Sequence, residues 1–449
     1  MKVCGIIAEY NPFHNGHAWQ LQYAKQNLGA DYVIVCMSGD FVQRGTPAIL
    51  DKYARTRMAL EAGADLVIEL PAANACGSAE FFASGGVSLM DALGVVDMLC
   101  FGCEMPEDDP EPFMTAARIL NQEPESCKEA LKSAGKQGLT YAQARAEALK
   151  KAVSEEMKAD KNDRKASLKE YDLISLVSSP NNNLGVEYCR SLLSLGSSMT
   201  PCPVPRKGAA YNDGELSPDG FSSATSLRKL AAYLCSVDSE SPHAFTNKGA
   251  GSPENIFGKL PQESFYTLLK QNVPEHCSAV LMDSLKNNQL IFPGDFDEIL
   301  FDRLLRENEN SITSYQDITP DLGRRIIHLR DEYRTFEQFA ALVKTRNYTL
   351  TRIQRALCHI LLGITETSHE AACARILGFR KESSAILTEI KKSSRIPLIT
   401  RPSDCSALNE HALKDYQTTI LASNLYEARA SLKARQAFVN EYRKQLIIL

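Results

Sequence analysis

The stretch Val3-Cys4-Gly5-Ile6-Ile7-Ala8-Glu9-Tyr10-Asn11-Pro12-Phe13-His14-Asn15-Gly16-His17 decides how the rest of the chain is read. Val3 to Tyr10 is an apolar run of strand length, and Gly16 to Leu28 reads as a helix closed by Gly29. The order strand, turn, helix sets His14-Asn15-Gly16-His17 at a helix start. Unpaired amides and the helix dipole favour negative charge there. Gly16 lets the backbone approach a phosphate closely. Imidazoles three residues apart share one side of the turn and can donate to oxygens that gain charge when an α-phosphate is attacked. The plainer alternative is two unrelated surface histidines or a metal pair.

Working outward, Tyr32 to Met37, Asp65 to Leu70 and Val96 to Phe101 read as further buried strands. Asp51 to Ala62 and Ser78 to Leu93 read as helices between them. Uniformly apolar strands alternating with amphipathic helices predict an α/β fold: a doubly wound parallel sheet covered on both faces. Ligands bind such sheets at the carboxyl ends of the strands. Residues 107–171 read as a charged helical excursion, with a solvated segment at 154–165. The α/β pattern resumes at Ser179, with a helix to about Leu195, a strand from Met199 to Val204 and a closing helix from Ser223 to Cys235. The domain is therefore expected to span 1–236, followed by a linker at 237–253 and a mostly α-helical region at 254–449 that is poor in strand signals.

The whole chain of 449 residues carries a net charge of −5, which excludes a uniformly basic nucleic-acid binder. Residues 321–401, however, hold 15 Lys and Arg against 8 Asp and Glu, a surplus of +7. A basic block on an otherwise acidic chain is the asymmetry of a polyanion-binding appendage; its alternative is a solvated helix face. The 13 cysteines sit in apolar runs, as reduced thiols of a cytoplasmic protein would. Cys100 and Cys103 are read as buried thiols rather than a metal pair. Neither a secretory signal nor a membrane span is read, so a soluble, cytoplasmic chain is expected.

Other polar groups fall at the predicted strand ends. In Ser222-Ser223-Ala224-Thr225-Ser226-Leu227-Arg228, Ser223 and Thr225 can cap a helix and donate to phosphates, and Arg228 supplies a fixed charge for a leaving pyrophosphate. Arg206 and Lys207 follow a strand and suit triphosphate contact. Asn181 and Asn182 either read adenine or ribose edges or cap a helix. Asp40 binds Mg²⁺, orients a substrate or simply belongs to a turn.

Several blocks then resemble the bacterial tRNA(Met) cytidine acetate ligases, within the HIGH-type nucleotidyltransferase superfamily. They are Gly5–His17, Met37–Gly45, Asp65–Pro71, Ser179–Tyr188, Lys344–Ile353 and Ile396–Thr400. The resemblance implies a nucleotidyltransferase domain that binds ATP with Mg²⁺. It implies ATP contacts from Ile7, Ala8, Glu9, Tyr10, Asn11, Pro12, Phe13, His14, Asn15, Gly16, His17 and Gln20. Gly102, one of Asn181 and Asn182, and Arg206 complete that set. It further implies catalysis by His14, His17 and Arg228. The implied reaction activates acetate as acetyl-adenylate and passes the acetyl group to the wobble cytidine of elongator tRNA(Met). Lys344, Arg346, Arg352 and Arg355 would then grip the tRNA, and Tyr348 would stack on an unpaired base. No membrane and no protein partner is implied. Asn183, Asn212 and Thr319–Gly323 depart from the family's usual pattern, and 155–165 is an insertion. The rival readings are a small-substrate adenylyl- or cytidylyltransferase and a non-catalytic RNA-binding protein.

Overall fold

The computed structural model describes residues 1–105, 108–122, 179–207, 220–238 and 262–449, with isolated positions at 129, 147, 151 and 176. The charged segment 154–165, most of the expected linker and Asn212 lie outside the described residues.

The strands are β1 (Val3–Ala8), β2 (Tyr32–Ser38), the short pair β3 (Phe41–Val42) and β4 (Thr46–Pro47), β5 (Leu66–Leu70), β6 (Met98–Cys103), β7 (Thr200–Pro205), β8 (Ala374–Phe379), β9 (Leu398–Ile399) and β10 (Ile447–Ile448). The main sheet runs β10-β8-β5-β2-β1-β6-β7, with β9 beside β8. Its β5-β2-β1-β6-β7 portion is parallel throughout. Successive strands first move to one side of β1 and then, from β6, to the other. That reversal opens a crevice at the carboxyl ends of β1 and β6.

Helices α1 (Asn15–Gln26), α2 (Lys52–Glu61), α3 (Ala72–Ala75), α4 (Ala79–Ala92), α5 (Glu111–Gln122), α6 (Pro180–Leu195) and α7 (Ala224–Asp238) accompany these strands. Alternate strand residues enter opposite layers. Val3 and Ile7 pack with α4 and α6, whereas Cys4 and Ile6 pack with α1, α2 and α7. The same alternation separates Cys100 from Cys103, one in each layer, so the pair cannot close on one metal ion. Helix starts follow local chemistry. Asp51 accepts the amides of Tyr53 and Ala54, and Ser179 caps α6 ahead of Pro180.

The C-terminal half adds α8 (Gln262–Asn272), α9 (Glu275–Lys286), α10 (Asp297–Arg306), α11 (Pro320–Leu329), α12 (Phe336–Val343), α13 (Leu350–Leu362), α14 (Ser384–Ser393) and α15 (Glu410–Lys433). Leu300, Ile326, Phe339, Ile353, Leu357 and Ile360 form an apolar centre that also takes in Phe41, Ala72, Ala73 and Cys76 of the first half. The expectation of a strand-poor half needs one correction: β8 pairs antiparallel with β5, and β9 and β10 flank it. The run Ala374-Arg375-Ile376-Leu377-Gly378-Phe379 is short enough to suit either a helix or a strand, and the free edge of β5 decides for strand.

A buried ionic cluster fixes this junction. The Lys52 ammonium, fully buried, lies 2.7 Å from both Glu69 Oε1 and Glu441 Oε1 and donates to Ser423 Oγ at 2.6 Å. Arg375 bridges Glu69 and Glu441 at 3.0 and 2.5 Å. Burial raises the Glu441 carboxyl, but Lys52 and Arg375 overcome it and bring the pKa down to about 2. Asp40 belongs here too. Its Oδ1 accepts the Lys52 amide at 2.9 Å, and burial pushes its carboxyl up to about 6 against the pull of Lys52. Asp40 is thus an internal brace rather than the metal ligand considered from sequence.

Candidate active site

His14 is the N-cap of α1. Its Nδ1 accepts the Gly16 amide at 3.1 Å, and the His14 amide donates to His17 Nδ1 at 3.3 Å. The two rings stack with centroids 3.7 Å apart. Acceptance at Nδ1 leaves each neutral ring with its proton on Nε2, so both are donors. Burial, then the charges of Arg206 and Arg228, push the His14 imidazole down to about 3. Burial and the neighbouring His14 lower His17 in the same direction. Gly16 is dictated by this geometry, because a Cβ there would lie 2.9 Å from His14 Cε1.

The Ser222–Arg228 segment reaches the same cleft through specific ties. Asn15 Nδ2 donates to the Gly220 and Gln271 carbonyls at 2.8 and 2.9 Å, and Asn272 Oδ1 accepts the Ser222 amide at 2.8 Å. Ser223 Oγ accepts the Ser226 amide at the start of α7. Arg228 donates to the Asn11 carbonyl at 2.6 Å and to Thr225 Oγ1 at 3.1 Å, which fixes its guanidinium in the cleft lining.

One cleft at the β1–β6 edge is lined by Ile7, Ala8, Glu9, Tyr10, Asn11, His14, Gly16, His17, Gln20, Gly102, Asn181, Arg206, Ser223, Thr225 and Arg228. Segments more than two hundred residues apart in sequence therefore line one cleft. Four expected ATP contacts are not in the lining. Phe13 is fully buried, edge-on to Tyr10. Pro12 is packed beside it, and Asn15 is the brace just described. Asn182 accepts the Glu104 amide at 2.7 Å, so of the asparagine pair Asn181 faces the cleft.

Sequence reasoning missed Trp19, Phe82, Phe101, Leu184, Tyr188 and Phe221, all of which line the cleft. Apolar residues carry no functional signal without the fold. Gln43 and Arg44 also face it, although only Asp40 of their loop was singled out. The signal lay in the polar run after β2, at a strand's carboxyl end. Lys207 sits over the Trp19 ring at 5.0 Å. Behind the wall, the buried Arg55 donates to the carbonyls of Glu9, Ser38, Gly39 and Leu50, and so holds the ends of β1 and β2 in register.

Among the described residues no group of three or more His, Cys, Asp or Glu is placed to hold a metal ion; the carboxylates of Asp40, Glu69 and Glu441 surround the Lys52 ammonium instead. In the basic block, Arg325 and Arg330 donate to backbone carbonyls, and Arg355 pairs with Asp317 at 2.9 Å. Tyr348 shares a hydrogen bond with Thr319, and Arg352 covers its ring at 5.3 Å. Tyr348 and Arg355 are therefore engaged within the fold, while Lys344 and Arg346 are exposed. No helix among the described residues is long and apolar enough to cross a membrane.

The chain matches the family described as HIGH Nucleotidyl Transferase over residues 1–441. A curated protein of Acetivibrio thermocellus, named tRNA(Met) cytidine acetate ligase, is 35% identical over the full length of both chains. One of the same name from Clostridium tetani is 36% identical, covering 89% of this chain and 90% of its own. Among solved structures, Thermotoga maritima TmcAL bound with alpha-thio ATP superposes with a TM-score of 0.83 at 27% identity, with full coverage of both chains.

Proposed function

The chain belongs to the HIGH nucleotidyl transferase family, and from that premise and the cleft geometry we propose that it is an ATP-dependent tRNA(Met) cytidine acetate ligase. The observation that carries the reading is the pair of neutral, stacked histidines facing Arg228, Ser223 and Thr225 across one cleft. In the first step an acetate oxygen attacks the α-phosphorus of ATP, and the bond to the β-phosphate oxygen breaks. Acetyl-adenylate and pyrophosphate result. His14 and His17 donate Nε2–H to the oxygens that gain charge, without bringing charges that must first be desolvated. Arg228, held by the Asn11 carbonyl and Thr225, neutralises the leaving pyrophosphate. Gly102, Asn181 and Arg206 form the wall for adenosine. In the second step the N4 amine of the wobble cytidine attacks the acetyl carbonyl, N4 loses a proton and AMP leaves. Acetate alone is too poor an electrophile for that amine, so the mixed anhydride is required. Any Mg²⁺ would be held chiefly by the phosphates of ATP, and no step above depends on it. Lys344 and Arg346 supply the exposed charge for tRNA phosphates.

The test measures AMP and pyrophosphate formation from ATP and acetate, with and without tRNA. His17→Ala is expected to lower turnover by about 10²–10³ and to leave tRNA affinity near wild type. Undiminished turnover in that variant refutes the assignment.

A further inference from the structure

The cleft has more wall than a nucleotide needs. α7 and Arg228 take the pyrophosphate side, and β6, β7 and α6 take the adenosine side. A third wall is built from Ile7 and Glu9 at the end of β1, Gln43 and Arg44 after β2, Phe82 of α4 and Tyr188 of α6. Attack at phosphorus requires the entering and leaving oxygens to be roughly in line. The acid must therefore arrive from a wall other than the one that receives pyrophosphate.

The chemistry of this third wall is unusual for a phosphate site. It sets the guanidinium of Arg44 and the polar groups of Glu9 and Gln43 beside buried apolar side chains: Phe82 is 2% exposed and packs in the same layer as Ile7. A guanidinium beside an apolar end matches a short carboxylic acid, in which a planar anion is joined to a methyl group. The loop bearing Arg44 is pinned on both sides. The Gln43 amide donates to Glu9 Oε1 at 2.9 Å, which ties the loop to the end of β1. Gly45, at φ +72°, lies against α13 so closely that a Cβ would collide with the Arg355 backbone nitrogen. Burial, then the neighbouring Cys36 and Glu9, raise the Tyr188 phenol, so it is a neutral part of the wall.

Resting on the ligase reading above, we propose that this wall is the acetate subsite. The Arg44 guanidinium holds the carboxylate, and Phe82 with Ile7 closes the space around the methyl group and so sets the length of acid accepted.

Two variants of the full chain test it. Arg44→Ala raises the KM for acetate by about tenfold or more, and Arg44→Lys does so less, because a point charge replaces a bidentate fork. ATP affinity, titrated calorimetrically without acetate, stays within about twofold of wild type. Phe82→Ala raises kcat/KM for propionate relative to acetate by about tenfold, the worth of one methylene in a pocket. Phe82→Leu supplies the same comparison if the alanine variant does not fold. An unchanged acetate KM overturns the proposal. So does a loss of ATP affinity parallel to that of acetate, which would make Arg44 a phosphate ligand, and so does an unaltered propionate-to-acetate ratio. Wild-type protein that makes no AMP from ATP, acetate and tRNA would instead defeat the ligase reading itself, whatever the variants do.

Discussion

Gly16→Ala isolates the positioning of His14 from the stability of the fold. The added Cβ would lie 2.9 Å from His14 Cε1 and 3.1 Å from Nδ1, both shorter than ordinary van der Waals contact. The ring must swing away by about half an ångström to an ångström, which lengthens the 3.1 Å bond from the Gly16 amide and opens the 3.7 Å stack on His17. A donor displaced by about 1 Å costs on the order of 10² in kcat. Stability should move the other way. Gly16 lies in the first turn of α1, where alanine is favoured over glycine by roughly 0.5–1 kcal/mol, enough to offset the lost bond. The expected result is a fall in kcat for AMP formation of about a hundredfold with a melting temperature within a few degrees of wild type. A methyl group in the cleft would also face ATP directly, so the decisive comparison adds His14→Ala. If Gly16 acts through the ring, Gly16→Ala costs little in that background. Full activity in Gly16→Ala, or an undiminished cost in the double variant, refutes the positioning argument.

Glu441→Gln should destabilise the protein by about 3–5 kcal/mol in a denaturant titration, because it leaves Lys52 and Arg375 buried with too little countercharge; a loss below 1 kcal/mol would mean the cluster is wet. His14, whose folded pKa of about 3 lies below its ordinary 6.5, contributes stability that is fully present above pH 6.5 and is lost as the pH falls toward 3. The wild type should therefore lose about 2 kcal/mol relative to His14→Gln between pH 7.5 and 5. The opposite contribution of Asp40, whose raised pKa favours the fold on protonation, is common to both proteins and cancels. Parallel pH profiles would contradict the burial of a neutral His14. Arg346→Ala should weaken tRNA binding similarly for all sequences and reduce the salt slope by about one; an unchanged slope removes Arg346 from the RNA surface.

The sequence by itself determined the parallel core. Apolar runs such as Val3–Ala8 and Tyr32–Ser38 are buried on both faces, and hydrophobic period and glycine stops report that locally. It also determined the donors at the start of α1, because the capping turn and the stacked histidines are made within four residues. Relations between distant segments were decided by tertiary structure. Asn15 and Phe13 sit inside the motif yet brace it, since Asn15 finds carbonyls at 220 and 271, and Phe13 finds the core. Asp40 looked available for a metal until Lys52, Glu69 and Glu441 closed around it. Ala374–Phe379 became a strand because β5 offered an open edge. The apolar acid-binding wall was invisible for the same reason: Phe82 and Tyr188 read as ordinary helix core until the crevice between β1 and β6 gave their faces something to line. Local chemistry is written in neighbouring residues, whereas the assignment of a side chain to cleft or brace depends on partners that only folding brings within reach.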